Sequence, residues 1–505
     1  MNSYLLYPHK GLAGEAAYPS FQDIFKDLNL NILLKTMAQD DVFMMEQIRN
    51  VMMIPIVDPE VLKYRYEIVK DFQENSAWAE KVYDLAKEAA KLAEQYKKEL
   101  EQSRGKAAGK SGAMIVTLNF ITNAISLQRR IQEIFHDVEV PLSSRGFKQF
   151  LHRMDQYPWE EFEEFHKKIM FYTMGGEGVF SIQISGGLKL KQSRLMDCKN
   201  YKEASLTGTS MKLRKLYYKM AKKDTMIVED DALDYDMKRL IEENVQQVVD
   251  QYKPWTEQAL QFLFDFSKEI AFYKGIHNLQ RRMKELSLPL CYAEVCEDRS
   301  QKEMKHLYEL SLALYTQVYP VPNSMKHEGK HLTIITGANQ GGKSTFLRSF
   351  GIAQVMMQCG MPVPADRFVS GLYSKIHTHF TRKEDAMLSR GRLEEEMKRM
   401  DGIVTQLGRE SLLLLNESFA STTEKEGSQI AYNIIMPLYE KGIEVMMVTH
   451  LHEFAREMYE RKLSGAEFLV AERLEDGKRT FHMLPGVPHY SSYGTDLYQY
   501  MIGKL

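Results

Sequence analysis

Gly337, Gly342, Lys343 and Ser344 stand at the spacing Gly-x-x-x-x-Gly-Lys-Ser, inside "LTIITGANQGGKSTFLRSFGIAQVM". These residue types at this spacing suit a polyphosphate. Glycines, which lack a Cβ, let several backbone N–H groups converge on one anion. The helix predicted by the residues that follow points its positive end at the same spot. Lys343 has the reach for β- and γ-phosphates, and the Ser344 hydroxyl is an oxygen ligand suited to Mg²⁺. Asn339, Gly341 and Thr345 fall within the same run. An apolar strand enters it and a helix leaves it, which is the context that gives the motif meaning. A second Gly-Lys-Ser, in "GKAAGKS" (105–111), has Arg104 where the first glycine belongs and follows a charged helix. It reads as part of a helix–helix loop over 103–113.

"SLLLLNESFAS" (411–421) holds the second constellation, Asn416-Glu417 after a run of leucines. At the carboxyl end of a strand facing a phosphate loop, the Glu417 carboxylate would orient and polarise water in line with a γ-phosphate. An Asp is expected before it, to help hold Mg²⁺. Asn416 still offers a carbonyl oxygen but no negative charge. The expectation is retained ATP binding, weakened Mg²⁺ binding and slow hydrolysis. His450 follows "EVMMVT" at the end of another predicted strand, where it could touch the γ-phosphate and the attacking water. His452 completes a His-x-His pair, but no third metal ligand lies nearby. His377 and His379 alternate along a further predicted strand. Glu424 and Glu426, in the loop after Glu417, read either as surface charges or as acids that offset the one missing at Asn416.

The elements that must position these residues change texture along the chain. The first two-thirds reads as helix: 78–102 and 114–135, then 232–253 and 256–286 on either side of Pro254. These lengths suggest extended arms, at about 1.5 Å per residue. "GVFSIQISGGLKLKQ" (178–192) predicts a hairpin. From about residue 288, short apolar runs alternate with helices: "LTIITG", "SLLLLNE", "EVMMVTH" and "EFLVAERL". Such runs suit buried strands of a mostly parallel α/β sheet.

The 505 residues carry a formal net charge of −2, so affinity for nucleic acid requires a local patch. Residues 179–223 supply one, with eleven Lys or Arg against Asp197 and Glu203. Lys189, Lys191, Arg194, Lys212, Arg214, Lys215, Lys219, Lys222 and Lys223 are its candidate DNA contacts, the alternative being a solvated helix face. Four cysteines without paired spacing, no start resembling a signal peptide and no apolar run of the ~18 residues that span a bilayer point to the cytoplasm, away from membranes.

"TGANQGGKSTFLRS" with "CGMPVPA" (336–365) resembles the MutS family, whose loop reads Thr-Gly-Pro-Asn-Met-Gly-Gly-Lys-Ser-Thr. Asn339 keeps the family's Asn, while Ala338 and Gln340 replace Pro and Met. "IHTHFTRKEDAMLSRGRLEEEM" (376–397), "LLLLNESFASTTEKEG" (412–427), "VMMVTHLHEFA" (445–455) and "FHMLPGVPHYSSYG" (481–494) continue the resemblance in order. "FMMEQIRNVMMIPIVDPEVLKYRYEIVKDF" (43–72) resembles the start of the family's core domain.

The resemblance implies an ABC-type P-loop ATPase domain over 288–505. Before it would lie a tail (1–18) and a helical core and lever region (19–287), with a small basic clamp near 172–225. It also implies a homodimer that binds ATP and Mg²⁺ between one protomer's phosphate loop and its partner's signature loop, with levers transmitting ATP state to DNA. His450 takes the sensor role, and Ser344 and Asn416 the metal side. The family has Ser-Thr-Phe at its signature loop, and here the candidates are Ser389 and Arg392. Arg392 either supplies a charge in trans or pairs with the acids after it. With the helical core starting by about residue 20, a wedge-type mismatch reader is not expected, and distorted, branched or nonspecific DNA is. The alternatives are a non-hydrolysing ATP-binding switch, or an ATPase acting on structured RNA or a protein.

Overall fold

The computed structural model describes residues 3–9, 17–104, 109–156, 180–185, 189–195, 231–381, 391–474 and 478–488. Helices α1 (Phe21–Asp27), α2 (Leu30–Ala38), α3 (Val42–Met52), α4 (Pro59–Glu74), α5 (Ser76–Arg104), α6 (Gly109–His136) and α7 (Arg145–Asp155) come first. Then follow the hairpin strands β1 (Phe180–Ser185) and β2 (Lys189–Leu195), and helix α8 (Asp231–Glu285). The chain forms two compact units. One comprises Met1–Ser3, Asp84–Asp137 and Leu151–Ser267, and the other Tyr4–Tyr83, Val138–Phe150 and Lys268–Leu505.

Among its described residues the first unit is helical, apart from the antiparallel hairpin that pairs Phe180 with Leu195. Aromatic rings fill its core. Tyr96 stacks on Phe120 with centroids 4.2 Å apart, and Phe266 packs against both Phe262 and Phe135. Two sequence expectations are corrected here. Residues 109–113, read as loop, open α6, and Ser103 and Arg104 close α5. The two helices expected around Pro254 are one, α8. Proline in a helix interior costs roughly 3 kcal/mol, because it removes one N–H and crowds one carbonyl. The fully buried Phe262, Leu263 and Phe266 on the next turns offset that cost.

The second unit holds a six-stranded sheet. Its strands are β6 (Leu332–Gly337), β8 (Lys375–Phe380), β9 (Ser411–Asn416), β10 (Glu444–Val448), β11 (Ala466–Arg473) and β12 (Arg479–Pro485). Their spatial order is β12-β11-β6-β10-β9-β8, parallel except for β12. Beside the sheet stand α10 (Lys343–Met357), α11 (Arg392–Val404), α12 (Glu424–Glu440) and α13 (His452–Glu460). A smaller sheet of β3 (Glu294–Val295), β7 (Arg367–Ser370), β4 (Lys302–Leu307) and β5 (Asn323–His327) lies in this unit, with the short helix α9 (Leu310–Thr316).

The sheet explains the unbroken leucines at 412–415, each fully buried. Leu413 and Leu415 join the core formed with α12 and α13, while Leu414 faces α10. A strand covered on both faces has no polar side, so alternation disappears. Gly351 lets α10 come this close, since a Cβ there would lie 2.8 Å from Leu414 Cδ1 and 2.7 Å from Leu28 Cδ2. On the β8 edge, the Asp27 carboxylate accepts from Thr378 Oγ1 (2.8 Å) and Arg399 Nη2 (2.7 Å), and its backbone oxygen accepts from Arg348 Nε (3.1 Å). One residue thus ties α1 to β8, α11 and α10.

Candidate nucleotide site

Strand register decides which residues meet. Ile335 of β6 pairs with Val448 of β10, and Val448 pairs with Asn416 of β9. The loop after β6, the Asn416-Glu417 corner and the segment leading to His450 therefore leave the same carboxyl edge of the sheet. That edge is where α/β sheets bind ligands.

Gly337 ends β6 at φ +110°, and a Cβ there would sit 2.9 Å from the backbone nitrogen of Ala471. Both the conformation and the crowding demand glycine. Gly341 N–H donates to Ala338 O (3.1 Å), and Gly342, at φ +90°, caps α10. Lys343 is buried and folds back, donating to the carbonyls of Gly337 (2.8 Å) and Ala338 (3.0 Å). Burial lowers its pKa, while the Glu417 carboxylate acts in the opposite direction and the Arg479 guanidinium adds to the lowering.

Asn339, Gln340, Gly341, Gly342, Lys343, Ser344, Thr345 and Glu417 line one cavity of about 620 Å³. Glu417 holds φ +55°, its N–H donating to Val448 O (2.8 Å) and its carbonyl accepting from Thr381 Oγ1 (2.6 Å). A left-handed non-glycine residue costs roughly 1–2 kcal/mol, and these two bonds hold it there, between β10 and the end of β8. Asn416 is 9% exposed; its carbonyl accepts from Thr381 N–H (3.1 Å), and its Oδ1 has no partner among the described residues. A buried amide oxygen without a donor suits a cation or a water held there.

Other expected residues fall outside the cavity wall. Gly337 ends β6 two residues before the first loop residue on the wall, and His450 is half-buried two residues past β10 on the same edge. Glu424 Oε1 accepts the His452 N–H that opens α13 (3.0 Å), a use neither of its two sequence readings foresaw. Arg392 is the first residue of α11, and Ser389 lies outside the described residues. Lys189, Lys191 and Arg194 are on β2, while Lys212, Arg214, Lys215, Lys219, Lys222 and Lys223 lie outside the described residues.

Sequence reasoning missed the far end of the cavity, formed by Tyr308, Leu312, Val318, Tyr319, Pro320 and Val321. Its only sequence signal was the apolar "VYPV" just before β5. Phe481 of β12 was missed as a wall residue too; its Cβ would lie 3.4 Å from one added at Gly342, and its carbonyl accepts from Asn323 Nδ2 (3.2 Å). The cavity therefore has an apolar, partly aromatic end and a cationic end lined by hydroxyl and carboxylate side chains.

Two family models and several known proteins match this chain. The family model described as MutS domain V matches residues 333–501, and the MutS2 N-terminal domain matches 57–286. The DNA mismatch repair protein MutS of Thermotoga neapolitana is 33% identical over 168 residues, which is 33% of this chain and 21% of that protein. Endonuclease MutS2 of Lactobacillus helveticus is 25% identical over 256 residues, covering 49% and 32% respectively. Endonuclease MutS2 of Streptococcus gordonii is 33% identical over 170 residues, covering 33% and 22%. The matched part thus spans between a fifth and a third of these relatives' lengths.

Proposed function

The chain belongs to the MutS family, and from that premise we propose that it is a DNA-binding ATPase of that type, acting in mismatch repair or recombination. The observation that carries the reading is the convergence of Lys343, Ser344 and Glu417 on one cavity that also has an apolar end. ATP fits with its base among Val318, Tyr319, Pro320, Val321 and Phe481 and its phosphates on the loop. Mg²⁺ supplies charge neutralisation when bound, and Ser344 Oγ with the partnerless Asn416 Oδ1 would hold it.

The protein's own groups perform the rest. Lys343 exchanges the carbonyls of Gly337 and Ala338 for phosphate oxygens. The Glu417 carboxylate, fixed by its backbone bonds, orients the attacking water and accepts its proton. His450 reports the γ-phosphate from the adjoining strand end. Hydrolysis is slow because Asn416 contributes no charge toward the metal. Ser389 or Arg392 completes the partner's site in a homodimer, and the long helices couple ATP state to DNA held by the basic stretch.

Binding of duplex, mismatched and four-way-junction DNA, each with ATP and with ADP, tests the reading. Nucleotide-dependent affinity with a preference for distorted or branched DNA is expected. No DNA affinity under any nucleotide overturns it in favour of a protein or RNA partner.

A further inference from the structure

The phosphate loop touches a second cation that the motif does not contain. Arg479 opens β12 and donates from Nη1 to Oε1 of Gln340 (3.1 Å). Gln340 is itself in the loop, at φ +60° and on the cavity wall. Among the described residues, Arg479 forms no ion pair, and its Nε is buried with no hydrogen-bond partner. The strand that carries it is fixed two residues on. Phe481 lines the cavity, and Asn323 holds the strand by accepting from Met483 N–H (2.7 Å) and donating to Phe481 O. Gln340 and Asn416 both depart from the pattern that the resemblance implies, where Met and Asp stand.

We propose that Arg479 is a second cation for the polyphosphate chain, leaving Gln340 for a phosphate oxygen when nucleotide binds. The inference rests on the cavity being the ATP site. Two cations, Lys343 and Arg479, meet on one loop with no acid among the described residues paired to Arg479, so their repulsion is relieved by an anion between them. A guanidinium presents several donors in a rigid fork suited to phosphate. The charge balance also fits the amide at Asn416. Losing one acid weakens the metal's hold, and adding one arginine supplies positive charge that needs no metal. The consequence is ATP binding that depends unusually little on Mg²⁺.

Equilibrium titrations of the full chain with ATP, ADP and AMP, in Mg²⁺ and in EDTA, test this. Arg479→Ala should lose ATP affinity about ten-fold in EDTA and less in Mg²⁺, with AMP affinity unmoved. Arg479→Lys should recover most of the loss. Gln340→Ala keeps the charge, so it should keep the parent's preference for ATP over AMP. Two results overturn the inference: Arg479→Ala binding ATP as the parent does, or Gln340→Ala matching its loss without rescue by lysine, which would make the arginine a loop brace only. If the parent binds no ATP at all, the nucleotide-site reading falls and this inference with it. That failure is distinct, because it appears before any variant is made.

Discussion

At the residue scale, the corner Asn416-Glu417 separates two tasks that usually share two acids. Glu417 lines the cavity with its backbone pinned, while Asn416 stays in the strand with an unclaimed Oδ1. Restoring an acid at Asn416 should therefore act on the metal and not on the nucleotide. In Asn416→Asp, the Mg²⁺ concentration giving half-maximal turnover should fall several-fold, with ATP affinity equal or higher. A Mg²⁺ titration of initial rates measures this, and an unchanged midpoint would remove Asn416 from the metal side. The loop residues were legible in sequence because their job needs adjacency: Gly337 through Thr345 are contiguous, and glycine and lysine declare themselves. Tyr319, Phe481 and Arg479 were not legible. Tyr319 and Phe481 reach the cavity, and Arg479 reaches Gln340 on its wall, from about 20 residues before the motif or more than 130 after it, and their types alone suggest only core or surface.

At the element scale, β8 shows what local pattern conveys and what it hides. The alternation of His377 and His379 announced a strand, and β8 spans Lys375–Phe380. Their different surroundings were not readable. His379 Nδ1 meets Ser418 Oγ at 2.7 Å, whereas His377 is fully buried, and neither of its ring nitrogens has a partner among the described residues. Burial, helped by the Lys375 charge, lowers the His377 pKa to about 4. The native state thus prefers the neutral ring, while the unfolded chain takes up a proton near pH 6.5. The stability this contributes is complete above about pH 6.5 and is lost as pH falls toward 4, roughly 2 kcal/mol by pH 5. Urea unfolding of the second unit's signal at pH 7.5 and 5.0 should show a larger acid-induced drop in midpoint for the parent than for His377→Phe. Equal drops would assign the acid sensitivity elsewhere. The continuity of α8 through Pro254 teaches the converse. A strong local breaker was overruled by packing on the following turns, which no window of sequence displays.

At the scale of the whole molecule, the sequence conveyed two textures and the structure shows two compact units. Their bounds interleave along the chain, with Tyr4–Tyr83 grouped with Lys268–Leu505. A linear reading could not find that grouping, because it arises from pairings such as Asp27 with Arg399, 372 positions apart. No helix among the described residues is long and apolar enough to cross a membrane. The basic stretch is the proposed binding surface for DNA, and its charge sets the test. Reversing Lys212, Lys215 and Lys219 to Glu should weaken duplex binding and flatten the slope of log affinity against log salt by about 0.9 for each phosphate no longer neutralised. An unchanged slope would make that stretch a solvated surface.

The central claim is that this chain turns over ATP with Glu417 as the carboxylate that readies water. Turnover of the parent and of Glu417→Gln, with ATP binding measured on both, tests it most directly. The account predicts slow but measurable parent hydrolysis, a fall of about a hundred-fold or more in the variant, and ATP affinity kept within a few-fold. Parent turnover no greater than the variant's, with both binding ATP, would contradict it and leave a nucleotide-binding switch in its place.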